Sequence, residues 1–308
     1  MDVIVGSTNT DGTGSSVNLS EDNGYLVDVP NVDSDDYYYE FSLDNGLYIS
    51  RDLILSGGYD YTLVSNTSIW NTTGLKEVEI IDNDSWLLRV YDFVDVNVEG
   101  GAMNLSIIDA KRGVIDTSSD TAGGGSIITI NPYSNGDSWS NLFEVTTGSG
   151  RDKVYFGEST VFFDTSGETD PTSRWTEFEV DLGDGDDYFY YNLNKEASSD
   201  QTRYVDGGDG YDRLYIYQES DVLQFENFEY ISGVSVTLDA WLLEHNGSAE
   251  EGLTVYTNEV YLSDEVDSVS IVEGETDSSL DTVTVNIGDD SYILLMDSDD
   301  LVFDGEYV

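Results

Sequence analysis

The sequence predicts an all-β fold. Strand-like runs dominate it: YTLV (61–64), EVEIID (77–82), WLLRVYDFVDVNV (86–98), SIITI (126–130), KVYF (153–156), VTVNI (283–287) and YILLM (292–296). Each is rich in β-branched and aromatic residues and is bounded by Gly, Ser, Asn or Asp. Helical periodicity is confined to LDAWLLEHN (238–246), with Gly247 placed to end a helix. Composition agrees. At 39% hydrophobic, with 22 Tyr and only 3 Pro in 308 residues, the chain can build a core, unlike the acidic, apolar-poor chains that stay disordered.

One short pattern returns along the chain. Residues 148–155 read GSGRDKVY, 183–190 read GDGDDYFY and 208–215 read GDGYDRLY. In one frame Gly148, Gly183 and Gly208 align, as do Gly150, Gly185 and Gly210, then Asp152, Asp187 and Asp212, then Val154, Phe189 and Leu214. The glycines free the backbone for positive φ and for close approach. A tight turn carrying carboxylates and open carbonyls suits a hard cation, and calcium accepts six to eight oxygen ligands in irregular geometry. The frame resembles the repeats-in-toxin nonapeptide GGxGxDxUx, a calcium-binding parallel β-solenoid repeat. Only GGDGYDRLY (207–215) matches every specified position; Thr147 and Leu182 replace the first glycine elsewhere.

That resemblance implies calcium corners at 147–155, 182–190 and 207–215. Asp152, Asp187 and Asp212 would supply carboxylates, and Gly148, Gly150, Gly183, Gly185, Gly208 and Gly210 turn carbonyls. Asp184, Asp206, Asp209 and Asp186 would supplement them. The competing reading is a set of plain Gly-Asp turns. The glycine separations, 35 and 25 residues, are not multiples of nine. They predict one corner per large turn, with short strands between, and turns stacked so that the three aspartates form a column. The fold expected is therefore a parallel β-solenoid over 74–308, with residues 1–73 as an N-terminal β cap or small domain. A β-sandwich with acidic loops is the rival. SSLDTVTV (278–285) and VNIGDDSYILL (285–295) read as diverged rungs, and DGTGSSVN (11–18) as chance. VDSDDYYYEF (32–41) reads as an acidic loop before a strand, ahead of an intersubunit calcium site or a sugar platform.

Charge narrows the partners. Lys+Arg is 11 against Asp+Glu 63, a formal charge of −52, which excludes nucleic acid and anionic membrane and calls for cations or high salt. Two or three divalent ions would offset only a small part of it. Further cations, some between protomers, or a salty medium are expected. Extracellular calcium modules bind at roughly 10⁻⁴–10⁻³ M, so folding outside the cell would depend on calcium. The absence of Cys removes disulfides, thiolate catalysis and Cys-ligated zinc, and the single His245 removes multi-histidine sites. No run of 18 apolar residues predicts a membrane span. MDVIVGSTNTDGTG lacks the basic and apolar regions of a secretory signal. The family resemblance implies type I secretion through an uncleaved C-terminal signal. The ending DSDDLVFDGEYV fits that, as it fits a final strand and tail.

The function expected is a calcium-dependent, self-assembling extracellular structural protein, a surface-layer or filament subunit whose partners are copies of itself. The alternative is a secreted adhesin or carbohydrate-binding module that uses Tyr and Trp on a surface polysaccharide. An enzyme is the least favoured reading. Paired carboxylates mean little among 63 acids, and the bases before the third corner, Arg89, Lys111, Arg112, Lys153, Arg174, Lys195 and Arg203 among them, have no histidine beside them. Asn-x-Ser/Thr occurs at Asn18, Asn66, Asn71, Asn83, Asn104 and Asn246. Coincidence in an Asn-, Ser- and Thr-rich chain accounts for these better than glycosylation.

Overall fold

The computed structural model describes residues 95–119, 125–132, 141–157, 176–193, 202–218, 223–247, 252–274, 280–303 and 306–307. Ahead of them it describes the backbone of eight strands: 2–5, 15–19, 25–28, 39–43, 52–56, 61–64, 77–83 and 87–91. The acidic stretch at 32–38, and Trp70, Trp86, Trp139 and Trp175, lie outside the described residues.

Among the described residues the chain is mostly β, in parallel sheets with no closed barrel. The first sheet has ten strands, every neighbouring pair parallel. It begins Asp2–Val5, Tyr25–Asp28, Asp52–Ser56, Glu77–Asn83, so pairing runs across residue 74. It continues Asp95–Gly100, Arg112–Asp116, Asn141–Thr146, Thr176–Asp181, Arg203–Asp206, Leu223–Glu226. The second sheet takes the strands between: Tyr61–Val64, Leu87–Tyr91, Asn104–Ala110, Ile127–Pro132, Lys153–Gly157, Tyr188–Asn192, Arg213–Ile216, Tyr230–Leu238 and Leu253–Leu262, also parallel. From Asp52 to Leu238 the described strands of these two sheets thus alternate along the chain, while the two-residue strands Asp184–Gly185 and Asp209–Gly210 pair with each other. The run at 86–98, expected as one stretch, is two strands in different sheets, Leu87–Tyr91 and Asp95–Gly100. Bonded residues on adjacent rungs are 17 apart at Asp95 and Arg112 but 35 apart at Asn141 and Thr176. The ladder keeps its register while connections vary, because each rung is fixed by its neighbours' backbone groups.

Strand alternation separates core from surface, since side chains alternate sides at period two. In the second sheet Leu105, Ile128, Val154, Phe189, Leu214, Ile231 and Val255 form one in-register buried file. In the first sheet the corresponding file is Val96, Gly113, Phe143, Phe178, Arg203 and Leu223. Side chains from the two sheets meet: Phe156 lies 5.6 Å from Phe143 and 4.4 Å from Phe178, ring centre to ring centre. Arg203 takes a core position with no exposed surface. Its Nε donates to the Thr176 carbonyl at 3.0 Å and its Nη1 to the Tyr191 hydroxyl.

The C-terminal end breaks the parallel pattern. The predicted helix is Ala240–His245; Asp239 caps it, accepting the Leu242 N–H at 2.8 Å, and Gly247 follows at φ 76°. The two stretches expected to be diverged rungs are instead an antiparallel hairpin, Asp281–Ile287 with Asp290–Met296. A two-residue turn joins them, with Gly288 at φ 59°. So short a connection cannot carry the crossover that parallel strands need. Ser268–Val272 adds a further antiparallel edge. Among the described residues no helix is long and apolar enough to cross a membrane.

Candidate metal centre

The three Gly-Asp turns stack on one another. Ser149 bridges to Asp184, and Asp184–Gly185 pairs with Asp209–Gly210. The Asp184 N–H donates to the Gly148 carbonyl at 3.1 Å, the Gly150 N–H to the Asp184 carbonyl at 2.8 Å, and the Asp209 N–H to the Gly183 carbonyl at 3.0 Å. Glycine is required by this contact. Gly185 and Gly210 have φ of 153° and 156°, and a Cβ on Gly210 would lie 1.5 Å from the Gly185 carbonyl oxygen. Rung-on-rung packing alone is enough to demand these glycines.

The aspartates that follow form a buried file. Each stands just before a second-sheet strand, and the pairing of Lys153, Tyr188, Arg213 and Tyr230 aligns them. The Asp152 N–H donates to Asp187 Oδ1 at 2.6 Å, and the Asp187 N–H to Asp212 Oδ1 at 2.7 Å. The file extends both ways. Asp212 N–H donates to Glu229 Oε2 at 2.8 Å, Ser126 N–H donates to Asp152 Oδ1, and Met103 N–H donates to Ser126 Oγ at 3.3 Å. Every rung thereby satisfies a buried backbone donor with the next rung's side chain.

This leaves the second carboxylate oxygens. Oδ2 of Asp187 and of Asp212 are buried with no hydrogen-bond partner. Burial, helped by the charges of Asp152, Asp212 and Asp186 and opposed by the Asp152 N–H, pushes the Asp187 carboxyl up to about 8. Burial chiefly, with Glu229 and Asp186 adding, pushes Asp212 up to about 7; the Asp187 N–H and Arg213 pull against it. Burial also raises Glu229. Near neutral pH such carboxyls need either a proton or a cation. The donor set fits a hard cation, because it is all oxygen. Among the described residues no three or more His, Cys, Asp or Glu side chains converge. An ion on Oδ2 would therefore take its other ligands from backbone carbonyls and water.

The other expected ligands lie elsewhere in the turns. Asp184 and Asp209 are exposed at the tips. Asp186, also exposed, meets Arg151 at 3.4 Å. Half-buried Asp206 closes its own turn, accepting the Gly208 N–H at 2.9 Å and the Asn227 amide at 2.7 Å. Motif reading missed Ser126, which follows Gly123, Gly124 and Gly125 but puts a serine where the aspartate belongs, and Glu229, which carries no glycine signature. Their signal is register: Ile127 pairs with Lys153 and Tyr230 with Arg213, so the preceding residues take the file's position. His245 is half-buried and stacks on Trp241, centroids 4.4 Å apart. Asn246, one of the Asn-x-Ser/Thr sites, is buried; its amide donates to the Phe225 and Leu242 carbonyls at 2.8 Å each.

The outer faces of the two sheets differ in charge. Outward positions of the first sheet carry Glu99, Asp116, Glu144, Glu177, Glu179 and Asp181, and their one described cation, Arg112, is bound to Asp95 at 2.5 Å. From Ile127 to Ile216 the outward positions of the second sheet are Ile127, Thr129, Asn131, Lys153, Tyr155, Tyr188, Tyr190, Asn192, Arg213 and Tyr215, without an acid. Tyr155, Tyr190 and Tyr215 stack rung on rung, at 4.3 Å and 4.8 Å with rings 5° and 13° from parallel. Stacked this way the rings cover one another's faces, and the Tyr155 and Tyr190 side chains hydrogen-bond each other. Lys153 and Arg213 lie 5.3 Å and 5.0 Å from the Tyr188 ring centre.

No protein-family model matches this chain, and no curated protein or solved structure is significantly similar to it.

Proposed function

We propose that the two sheets are opposite walls of a β-solenoid, and that the chain is a calcium-locked extracellular structural protein that assembles with copies of itself. Supporting the solenoid reading are the alternation of the strands of two parallel sheets along the chain from Asp52 to Leu238 and the stacking of equivalent turns. The observation that carries the calcium reading is the buried file, with Asp187 Oδ2 and Asp212 Oδ2 lacking any hydrogen-bond partner. A divalent ion on these oxygens would neutralise carboxylates that burial otherwise holds protonated, and would tie each rung to the next. A formal charge of −52 makes assembly dependent on cations at the same time. Export in an unfolded state belongs to this reading, since a chain that folds only in millimolar calcium stays unfolded where calcium is scarce.

The role is structural rather than catalytic. Arg203, one of the few bases available to a lyase-like site, is in the core. The alternative, a surface adhesin, draws its support from the row of tyrosines on the second sheet. Its stacked ring faces, however, are not open to a sugar in the middle of the row.

The test is a calcium titration of EGTA-stripped protein, followed by circular dichroism and light scattering together, with magnesium and Asp187→Asn as controls. Calcium-specific gain of β structure, then of large particles, at sub-millimolar to millimolar calcium is expected. A stripped protein already folded and indifferent to calcium would make the corners plain turns. Folding without assembly would favour the adhesin.

A further inference from the structure

We infer that the acid-free tyrosine face of the second sheet is a docking surface for the acidic first-sheet face of another copy of this chain. The inference rests on the self-assembly reading and names the surfaces that would carry it.

Charge complementarity selects the partner. In a chain with 63 acids and 11 bases, a surface of four described strands free of Asp and Glu and holding Lys153 and Arg213 is the place where a −52 molecule can approach its own kind. The opposite sheet offers the counterpart, with Asp116, Glu144, Glu179 and Asp181 at outward positions.

Spacing matches as well as sign. Lys153 and Arg213 are two rungs apart in one file, through Tyr188. Asp116 and Asp181 are also two rungs apart, through Thr146. Both sheets share the strand-to-strand spacing, so each pair spans about 10 Å. A copy laid face to face can put both cations against both carboxylates in one register. Between them the stacked row of Tyr155, Tyr190 and Tyr215 adds contact surface that carries no like charge. Because the two faces differ, the contact is head-to-tail, and with the faces on opposite walls of the proposed solenoid it propagates into a stack rather than closing as a dimer.

The test compares full-length wild type with Lys153→Glu/Arg213→Glu by sedimentation velocity at millimolar calcium and moderate salt. Circular dichroism and calcium titration verify that each protein folds. A loss of association of tenfold or more in the double variant, with fold and calcium midpoint unchanged, is expected. Asp116→Lys/Asp181→Lys should show the same loss, and mixing the two variants should restore association through the swapped faces. If wild type assembles and the variants assemble equally, this inference is overturned while the self-assembly reading stands. If wild type stays monomeric under every condition, both fall. If monomeric wild type is instead retained on immobilised polygalacturonate and Lys153→Glu/Arg213→Glu is not, the face takes an acidic polysaccharide and the second copy is excluded.

Discussion

Asp184 and Asp209 stand at the turn tips in solvent, while Asp187 and Asp212, three residues further along each turn, have no exposed surface. Both pairs repeat rung by rung, in the same turns, with the same side chain. What separates them is the medium. At the tips the carboxylates are hydrated and screened, and each matters little. In the file one oxygen of each carboxylate caps a neighbouring backbone N–H and the other has nothing, so the cost of charge is set by burial. Acid content therefore says little about where the electrostatic energy of this protein sits; the side of the strand says more.

The largest effect tests the scaffold that keeps the two files apart. Gly210→Ala places a Cβ 1.5 Å from the Gly185 carbonyl oxygen at φ 156°, and the oxygen cannot move without opening the rung. A loss of roughly 4 kcal/mol or more, the exceptional end of single substitutions, is expected in urea denaturation. Gly288→Ala is the contrast. Its φ is 59° but nothing lies within 4 Å, so a cost of about 1 kcal/mol is expected.

Next comes the buried file. Asp187→Ala strands the Asp152 N–H and leaves a void, a loss of about 2–4 kcal/mol. Asp187→Asn keeps an acceptor for that N–H while removing the charge. It should cost less in stability yet flatten the calcium dependence of melting. If Asn retains the full calcium response, the ion is not on this file.

The pH dependence is of intermediate size and has a definite sign. Folded-state values of about 8 for Asp187 and about 7 for Asp212 exceed the ordinary carboxylate value of about 4. The stability these neutral carboxyls confer is fully present below about pH 4 and is lost as pH rises through 7 and 8. In EGTA, melting temperature should fall between pH 5.5 and 8.5, and added calcium should restore more at the higher pH, where it meets no competing proton. In Asp187→Asn the slope should shrink. An EGTA profile that is flat, or that rises with pH, would remove the buried-carboxyl account.

Much of this organisation is legible in the sequence. The strand runs at 61–64, 77–82 and 153–156 stand out by composition, and the Gly-x-Gly-x-Asp frame aligns residues that the sheet pairing also aligns. Other features are not local. That 86–98 bends into two sheets depends on which strands flank it, and a single hydrophobic run does not reveal that. Glu229 carries no turn glycines, so only the pairing of Tyr230 with Arg213 reveals its role. The hairpin at Gly288 has the same Gly-Asp pair as a corner, because that pair serves a two-residue turn as well; the two-residue connection between strand runs, too short for a parallel crossover, is what distinguishes them. The tyrosine row was present in the aligned frame, three residues after each file aspartate, but its ring stacking depends on neighbouring rungs lying in register.

The smallest expected effect lies at the tips, and it is the most discriminating for the ligand set. Asp209→Asn removes one of many solvent charges at an exposed position, so stability should change by less than about 0.5 kcal/mol. Its N–H to the Gly183 carbonyl is a backbone contact and survives the substitution. If the inner file holds the ion, the calcium midpoint of Asp209→Asn should stay near that of wild type, shifting only as a distant charge shifts it and less at higher salt. A midpoint displaced as far as in Asp187→Asn, and insensitive to salt, would mean that the tip carboxylate binds the ion directly. The division between a screened outer file and a working inner one would then give way to a site that spans both.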